Sequence, residues 1–257
     1  MAFIDSHAHL TSPDVLPNLG PILHRGKEAQ ISHILNICTD PETLRQGILL
    51  SERHPYIHNA GATTPHDVAK EGESAFPLFE AAAREGKLSA IGETGLDYHY
   101  EHSPKDLQKH FLKRYLHLAG SLSLPVIFHC REAFDDLFAI ADAEYKGPAI
   151  LHCFTGTVEE AEEVLKRGWY LSLSGIVTFK KSEVLRTVAK KAPLSQLLIE
   201  TDTPYLAPQS HRGQPNEPSY LPETATCIAA AKGIGVEEVA RATSENAKRL
   251  FGFKQAV

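Results

Sequence analysis

Asp5, His7 and His9 stand at alternate positions in the run IDSHAHL. In an extended strand such positions share one face, and polar groups turned inward need partners. A divalent metal ion would satisfy all three, because imidazole nitrogen and carboxylate oxygen are common metal ligands. Further ligand types close other short apolar runs: Glu93 in AIGETGLDY, His129 in VIFHCRE, His152 in AILHCFTG, and Glu200 and Asp202 in LLIETDTPYLAP. Each alone is a weak signal, since a single histidine at a strand end is more often a hydrogen-bonded core residue. Their coincidence at the ends of five runs is different, because leaving so many buried polar groups unpaired is costly. Four histidines and two or three carboxylates suffice for two divalent ions with one carboxylate bridging them.

The elements that must carry these residues follow one pattern. Short β-branched apolar runs (AFID, ISHILNI, YIHNAGA, LSAIGE, PVIFHC, PAILHC, WYLSLSG, LLIETD) alternate with helical patterns. PETLRQGILLSERH reads as a helix with Pro41 in its first turn, AFPLFEAAAREG as another, and the run from Ala133 to Glu144 as a third. In SPKDLQKHFLKRYLHLAGSLS, Ser103 and Pro104 read as cap and first turn. Strict alternation predicts a parallel sheet with both faces covered. Eight strand–helix units predict an α/β fold, a (β/α)8 TIM-type barrel forming a single domain over residues 1–257, with chemistry at the C-terminal ends of the strands. Two helices close the chain.

Composition narrows the class. A net charge of −6 argues against a broad basic surface for gripping duplex DNA. The four cysteines form no CxxC pair, which points to a reducing compartment, and no run is long and apolar enough for a membrane span. A cytoplasmic protein is expected. Cys130 and Cys153 each follow a histidine of interest, so alternation would turn them to the opposite face. No GxGxxG follows the first strand, which leaves little for a dinucleotide oxidoreductase.

With these motifs in place, the sequence resembles the TatD family of metal-dependent deoxyribonucleases among the amidohydrolase-like barrels. The likeness spans essentially the whole chain, through IDSHAHL, AIGETGLDYHY, PVIFHCREAFDD, LHCFTGT, LLIETDTPYLAP and HRGQPNEPSYL. It implies hydrolysis of DNA phosphodiesters and makes His7, His9, Glu93, His129, His152 and Asp202 the metal residues, the same six reached from the strand ends. One departure is Thr64 in GATTPHDV, where the family usually has His directly before the proline.

The expected chemistry is a two-metal displacement at phosphorus by an activated water. His7, His9 and Asp202 would hold one ion and His129 and His152 the second, with Glu93 bridging and the metal being Zn, Mg or Mn. Asp202 and Glu93 are the expected catalytic carboxylates, with Asp202 orienting the water and accepting its proton. Asp5 is expected to accept a histidine N–H and so fix its tautomer, and Glu200 either to act similarly, to ligate, or to make a strand-end hydrogen bond. Arg131 and Arg212 are the expected phosphate contacts, although Arg131 could instead pair with Asp97. Tyr98, Phe154 and Tyr205 follow strand ends where a base could stack. His99 and His102 are expected in an exposed loop. The expected substrate is single-stranded DNA or strand ends, acted on by a monomer with no membrane partner. The rivals are cleavage of a small ester, lactone or amide on the same barrel, and a non-catalytic metal-binding scaffold.

Overall fold

The computed structural model describes residues 2–253. Eight parallel strands form one sheet in the sequential order β1 to β8 and alternate with helices, the α/β (β/α)8 barrel class that the sequence predicts. No helix among the described residues is long and apolar enough to cross a membrane. The chain divides into two compact units, Met1–Asn36 with His152–Val257, and Ile37–Leu151.

In the first unit, β1 (Phe3–Ala8) runs parallel to the start of β2 (Ile31–Cys38), and β7 (Tyr170–Leu173) pairs with β8 (Leu197–Ile199). An isolated bridge joins Ala8 to Thr203, just past β8. The helices α1 (Leu19–Glu28), α6 (Val158–Lys166), α7 (Glu183–Lys191), α8 (Leu221–Lys232) and α9 (Val236–Phe251) belong to this unit. Thr157 and Glu160 form a reciprocal capping box at the start of α6, satisfying two helix N–H groups that would otherwise lack acceptors. Asn246 on α9 donates to the carbonyls of Leu194 and Leu197, fixing that helix against the entry to β8.

In the second unit, β3 (Ile57–Gly61), β4 (Ala90–Asp97), β5 (Val126–Arg131) and β6 (Ala149–Leu151) pair in succession. Around them lie α2 (Pro41–Arg53), α3 (Val68–Arg84), α4 (Lys105–Leu122) and α5 (Phe134–Glu144). Asp40 caps α2 through the N–H groups of Glu42 and Thr43, with Pro41 at the first turn as the sequence predicts. Phe79, Phe111 and Tyr115 are fully buried between helices and strands, each worth roughly 1.5–3 kcal/mol relative to exposure.

Two boundaries differ from expectation. The third helix begins at Val68 rather than near Ala75 and carries Pro77 inside it. Pro77 is exposed, so its ring meets solvent rather than the core. Ser103 is not the cap of α4, because Pro104 occupies that position. The Ser103 hydroxyl instead donates to the His66 carbonyl and accepts the Ala69 N–H, tying the entry of α4 to that of α3.

Candidate metal centre

The first unit builds one ligand group from its two chain-distant strand ends. His7 lies on β1 and His9 one residue past it. The His7 Nε2–His9 Nε2 distance is 3.3 Å, His7 Nε2–Asp202 Oδ1 is 3.7 Å and His9 Nε2–Asp202 Oδ1 is 3.5 Å. Ligands about 2.1 Å from a tetrahedral ion are about 3.4 Å from one another, so this triangle has the dimensions of three such ligands. The residues present therefore fit a divalent ion. Asp202 holds a left-handed backbone, φ 62°, a conformation costing on the order of 1 kcal/mol in a non-glycine residue. It is kept there by its N–H donating to the His7 carbonyl at 2.9 Å, beside the His9 N–H to Thr203 carbonyl bond at 2.8 Å.

Behind this group lies Asp5, fully buried. It accepts the Thr201 hydroxyl at 2.6 Å, the Thr201 N–H at 3.0 Å and the His7 backbone N–H at 3.3 Å. The expectation that Asp5 fixes a histidine tautomer is thus corrected: its oxygens are taken by backbone and hydroxyl donors, and it fastens β1 to the exit of β8. Burial pushes its carboxyl up to about 7, against the Thr201 and His7 hydrogen bonds that favour the charged form and with the Glu200 charge that opposes it.

His152 stacks on His7 with ring centres 3.9 Å apart and planes 7° from parallel. Glu200 is fully buried, and its Oε1 lies 3.4 Å from His152 Nδ1 while accepting the Cys153 N–H at 2.6 Å. Its Oε2 is buried with no hydrogen-bond donor among the described residues. A buried carboxylate oxygen in that condition is what a nearby cation would satisfy. Strand alternation does not govern Cys153, because β6 ends at Leu151 and Cys153 has φ 41°. Its Sγ lies 3.2 Å from Ser174 Oγ.

The second unit holds Glu93 and Asp97 on β4 and His129 on β5. His129 lies between the two carboxylates, with Nδ1 2.8 Å from Glu93 Oε1 and Nε2 2.9 Å from Asp97 Oδ2. His66 Nε2 stands 3.6 Å from the same Asp97 oxygen, and His66, Asp97 and His129 together form a group able to hold an ion. Burial pushes the Asp97 carboxyl up, but the bonds from His129 and the Tyr100 N–H outweigh it and hold the group below the usual carboxylate range. His66 is lowered by burial and by the nearby His129, against the charges of Asp97 and Glu93. Gly92 and Gly95 make this arrangement possible. A Cβ on Gly95 would fall 1.9 Å from the His129 carbonyl oxygen, and one on Gly92 would fall 2.6 Å from that of Ile127.

Asp97 and His66 did not emerge as ligand candidates from the sequence. Asp97 shares the strand parity of Glu93, a signal the motif contained, whereas His66 follows β3 in a loop where no periodicity applies. Arg131 does not pair with Asp97, which is occupied by His129 and by the His99 and Tyr100 N–H groups. Its guanidinium lies over the Tyr100 ring, 4.7 Å from the centre. Arg212 is exposed and lies 4.2 Å over the Phe179 ring. Of the three aromatic residues after strand ends, Phe154 is buried, and Tyr98 donates to Asp136 beneath Lys105. Tyr205 is exposed, with its ring edge-on to His9 at 5.8 Å. His99 is exposed and pairs with Glu132, and His102 is exposed near His66.

Histidine and carboxylate side chains gathered at the strand ends of a (β/α)8 fold are the groups that a metal-dependent hydrolase would use. The chain belongs to the TatD-related DNase family, whose sequence model matches residues 4–252. It is 39% identical to the metal-dependent hydrolase YabD of Bacillus subtilis, over 96% of this chain and 98% of that one. It is 32% identical to the 3'-5' ssDNA/RNA exonuclease TatD of Citrobacter rodentium, over 96% and 97% respectively. The crystal structure of the TatD homologue YjjV from Escherichia coli superposes with a TM-score of 0.92 at 27% identity, covering 98% of each chain.

Proposed function

We propose that this chain is a metal-dependent deoxyribonuclease that hydrolyses phosphodiester bonds in single-stranded DNA or at strand ends. The His7–His9–Asp202 triangle, with edges of 3.3, 3.7 and 3.5 Å, carries the metal part of this reading. The family description and the exonuclease name of the Citrobacter relative support the nucleic-acid part.

His7, His9 and Asp202 would hold one ion; Glu93 and His129 would serve as ligands in the second unit, and His152 as a ligand in the first. Bound divalent ions, whether Zn, Mg or Mn, supply neutralisation of the phosphate and acidification of a water. Asp202 turns Oδ1 toward both imidazoles, and its other oxygen is the acceptor for the attacking water's proton. Glu200 steadies His152 through Nδ1, and Asp5 steadies the backbone that carries His7. Arg131 and Arg212 offer guanidinium groups to the strand's phosphates.

The test strips the protein with chelator and incubates it with 5'-labelled single-stranded DNA and added Mg²⁺, Mn²⁺ or Zn²⁺. Metal-dependent laddering is expected, falling about 10²–10⁴-fold in Asp202→Asn. Metal content per chain, measured on the same preparation, checks for two ions. A folded, metal-loaded wild type that leaves DNA intact would end this reading and favour a small ester or lactone substrate.

A further inference from the structure

The loops that follow β7 and β8 are fastened into one piece. Arg186 on α7 donates to the carbonyls of Val177, Phe179 and Lys180 at 3.1, 2.7 and 3.1 Å, which fixes the first loop from below. Thr178 Oγ1 accepts the Gln209 N–H at 2.8 Å, and Gln209 Oε1 accepts the Lys180 N–H at 3.3 Å. The backbones approach so closely that a Cβ on Gly175 would lie 2.5 Å from the Leu206 carbonyl oxygen. The second loop is anchored in turn by buried Asn216, whose amide donates to the carbonyls of Thr201 and Tyr205 at 2.6 and 2.8 Å.

This rigid piece presents exposed apolar and cationic side chains. Tyr205 is 52% exposed and Leu206 37% exposed, on a backbone held in place by the Tyr205 N–H donating to the Asp202 carbonyl at 2.8 Å. The Tyr205 ring lies 5.8 Å from that of His9, a ligand of the triangle. Lys180, Lys181 and Arg212 are exposed, and none has an ion-pair partner among the described residues. Elsewhere in the same unit Arg25, Lys166, Arg167, Lys191 and Arg241 each face a carboxylate. In a chain of net charge −6, three unneutralised cations on two joined loops mark a local anion-attracting surface.

We propose that these loops form a seat for one single strand, in which Tyr205 stacks on the nucleobase beside the scissile phosphate and Lys180, Lys181 and Arg212 take the phosphates further along. This rests on the nuclease reading and adds to it the part of the substrate that is recognised. A base can lay its face on Tyr205 only when it is out of the duplex stack, so the seat selects unpaired strands. Because every base offers a π-face, it does so without reading sequence. Leu206 adjoins as an apolar edge.

The experiment measures fluorescence anisotropy of the Mg²⁺-loaded protein with a labelled oligothymidylate and with a strand of equal length made of abasic sites. Both carry phosphorothioate linkages to slow cleavage. Wild type is expected to bind the base-bearing strand about tenfold more tightly. Tyr205→Ala should erase that preference and Tyr205→Phe should keep it, with circular dichroism confirming that both variants fold. Lys180→Ala with Lys181→Ala should weaken both strands alike and flatten the logarithmic salt dependence by about 1.4, roughly 0.7 per phosphate contact. A wild type indifferent to the bases, a Tyr205→Ala variant that keeps the preference, or an unchanged salt slope in the double variant would overturn the seat. Binding with these signatures but no cleavage under any metal would remove the nuclease reading and leave the seat standing. Cleavage with no base preference would do the reverse.

Discussion

Glu200 lies fully out of water with one oxygen against His152 and Cys153 and the other with no donor among the described residues. Its negative charge is therefore tolerated chiefly if cations are near, and Glu200→Gln separates the possible roles. The variant should lose about 10–100-fold in metal affinity, as removal of a group that orients a ligating histidine typically does. The metal-free form should unfold at a higher temperature than metal-free wild type, because an uncompensated buried charge is gone. Chelator-competition titration and thermal unfolding of both forms check this, and unaltered affinity would reduce Glu200 to a strand-end hydrogen bond. At this scale much was legible beforehand. The six ligand candidates stood out because each polar residue closes an apolar run. The geometry around Asp5 was not legible, since it depends on Thr201, 196 residues away. Nor could the sequence show that Phe154 is buried and Tyr205 exposed, because both follow strand ends and only the course of the loops distinguishes them.

Among elements, α1 and the segment leading into α8 are joined by Arg25 and Glu217. The Arg25 Nε donates to both carboxylate oxygens at 2.8 and 3.0 Å, and Ser219 donates to the same carboxylate. Burial pushes the Glu217 carboxyl up, but the Arg25 and Ser219 hydrogen bonds outweigh it and leave the group below its ordinary range. A folded-state value below the unfolded one means the contribution is complete above the unfolded value and disappears as pH falls through the folded one. Arg25→Ala should therefore cost about 1–3 kcal/mol at neutral pH, by leaving a buried carboxylate without its partner. That cost should shrink below about pH 4, where protonation removes the charge. Urea unfolding of wild type and variant at both pH values measures it, and a pH-independent difference would refute the linkage. The sequence showed the alternation of elements but missed how they begin. The start of α3 at Val68 and the role of Ser103 between α3 and α4 arise from contacts between segments 37 residues apart.

Taken as a whole molecule, the chain concentrates buried carboxylates and imidazoles at strand ends, and its stability should depend on what neutralises them. Removing metal is expected to lower the melting temperature by about 5–10 °C, as loss of a ligand held well above its dissociation constant would in a protein of this size. Differential scanning calorimetry before and after chelation, with metal restored as control, tests this, and an unmoved transition would speak against a resident ion. The sequential strand order and the barrel class were legible because eight apolar runs alternate with helices. The division into two compact units was not, since the first unit is assembled from both ends of the chain.

That assembly has a temporal consequence. His7 and His9 leave the ribosome well before Asp202, whose N–H closes on the His7 carbonyl at 2.9 Å. Contacts of such long sequence separation form late, after the slow closure of a large loop. The triangle that fits an ion therefore does not exist on a chain that stops short of Asp202. An ion could be taken up by these three side chains only after synthesis has passed Asp202.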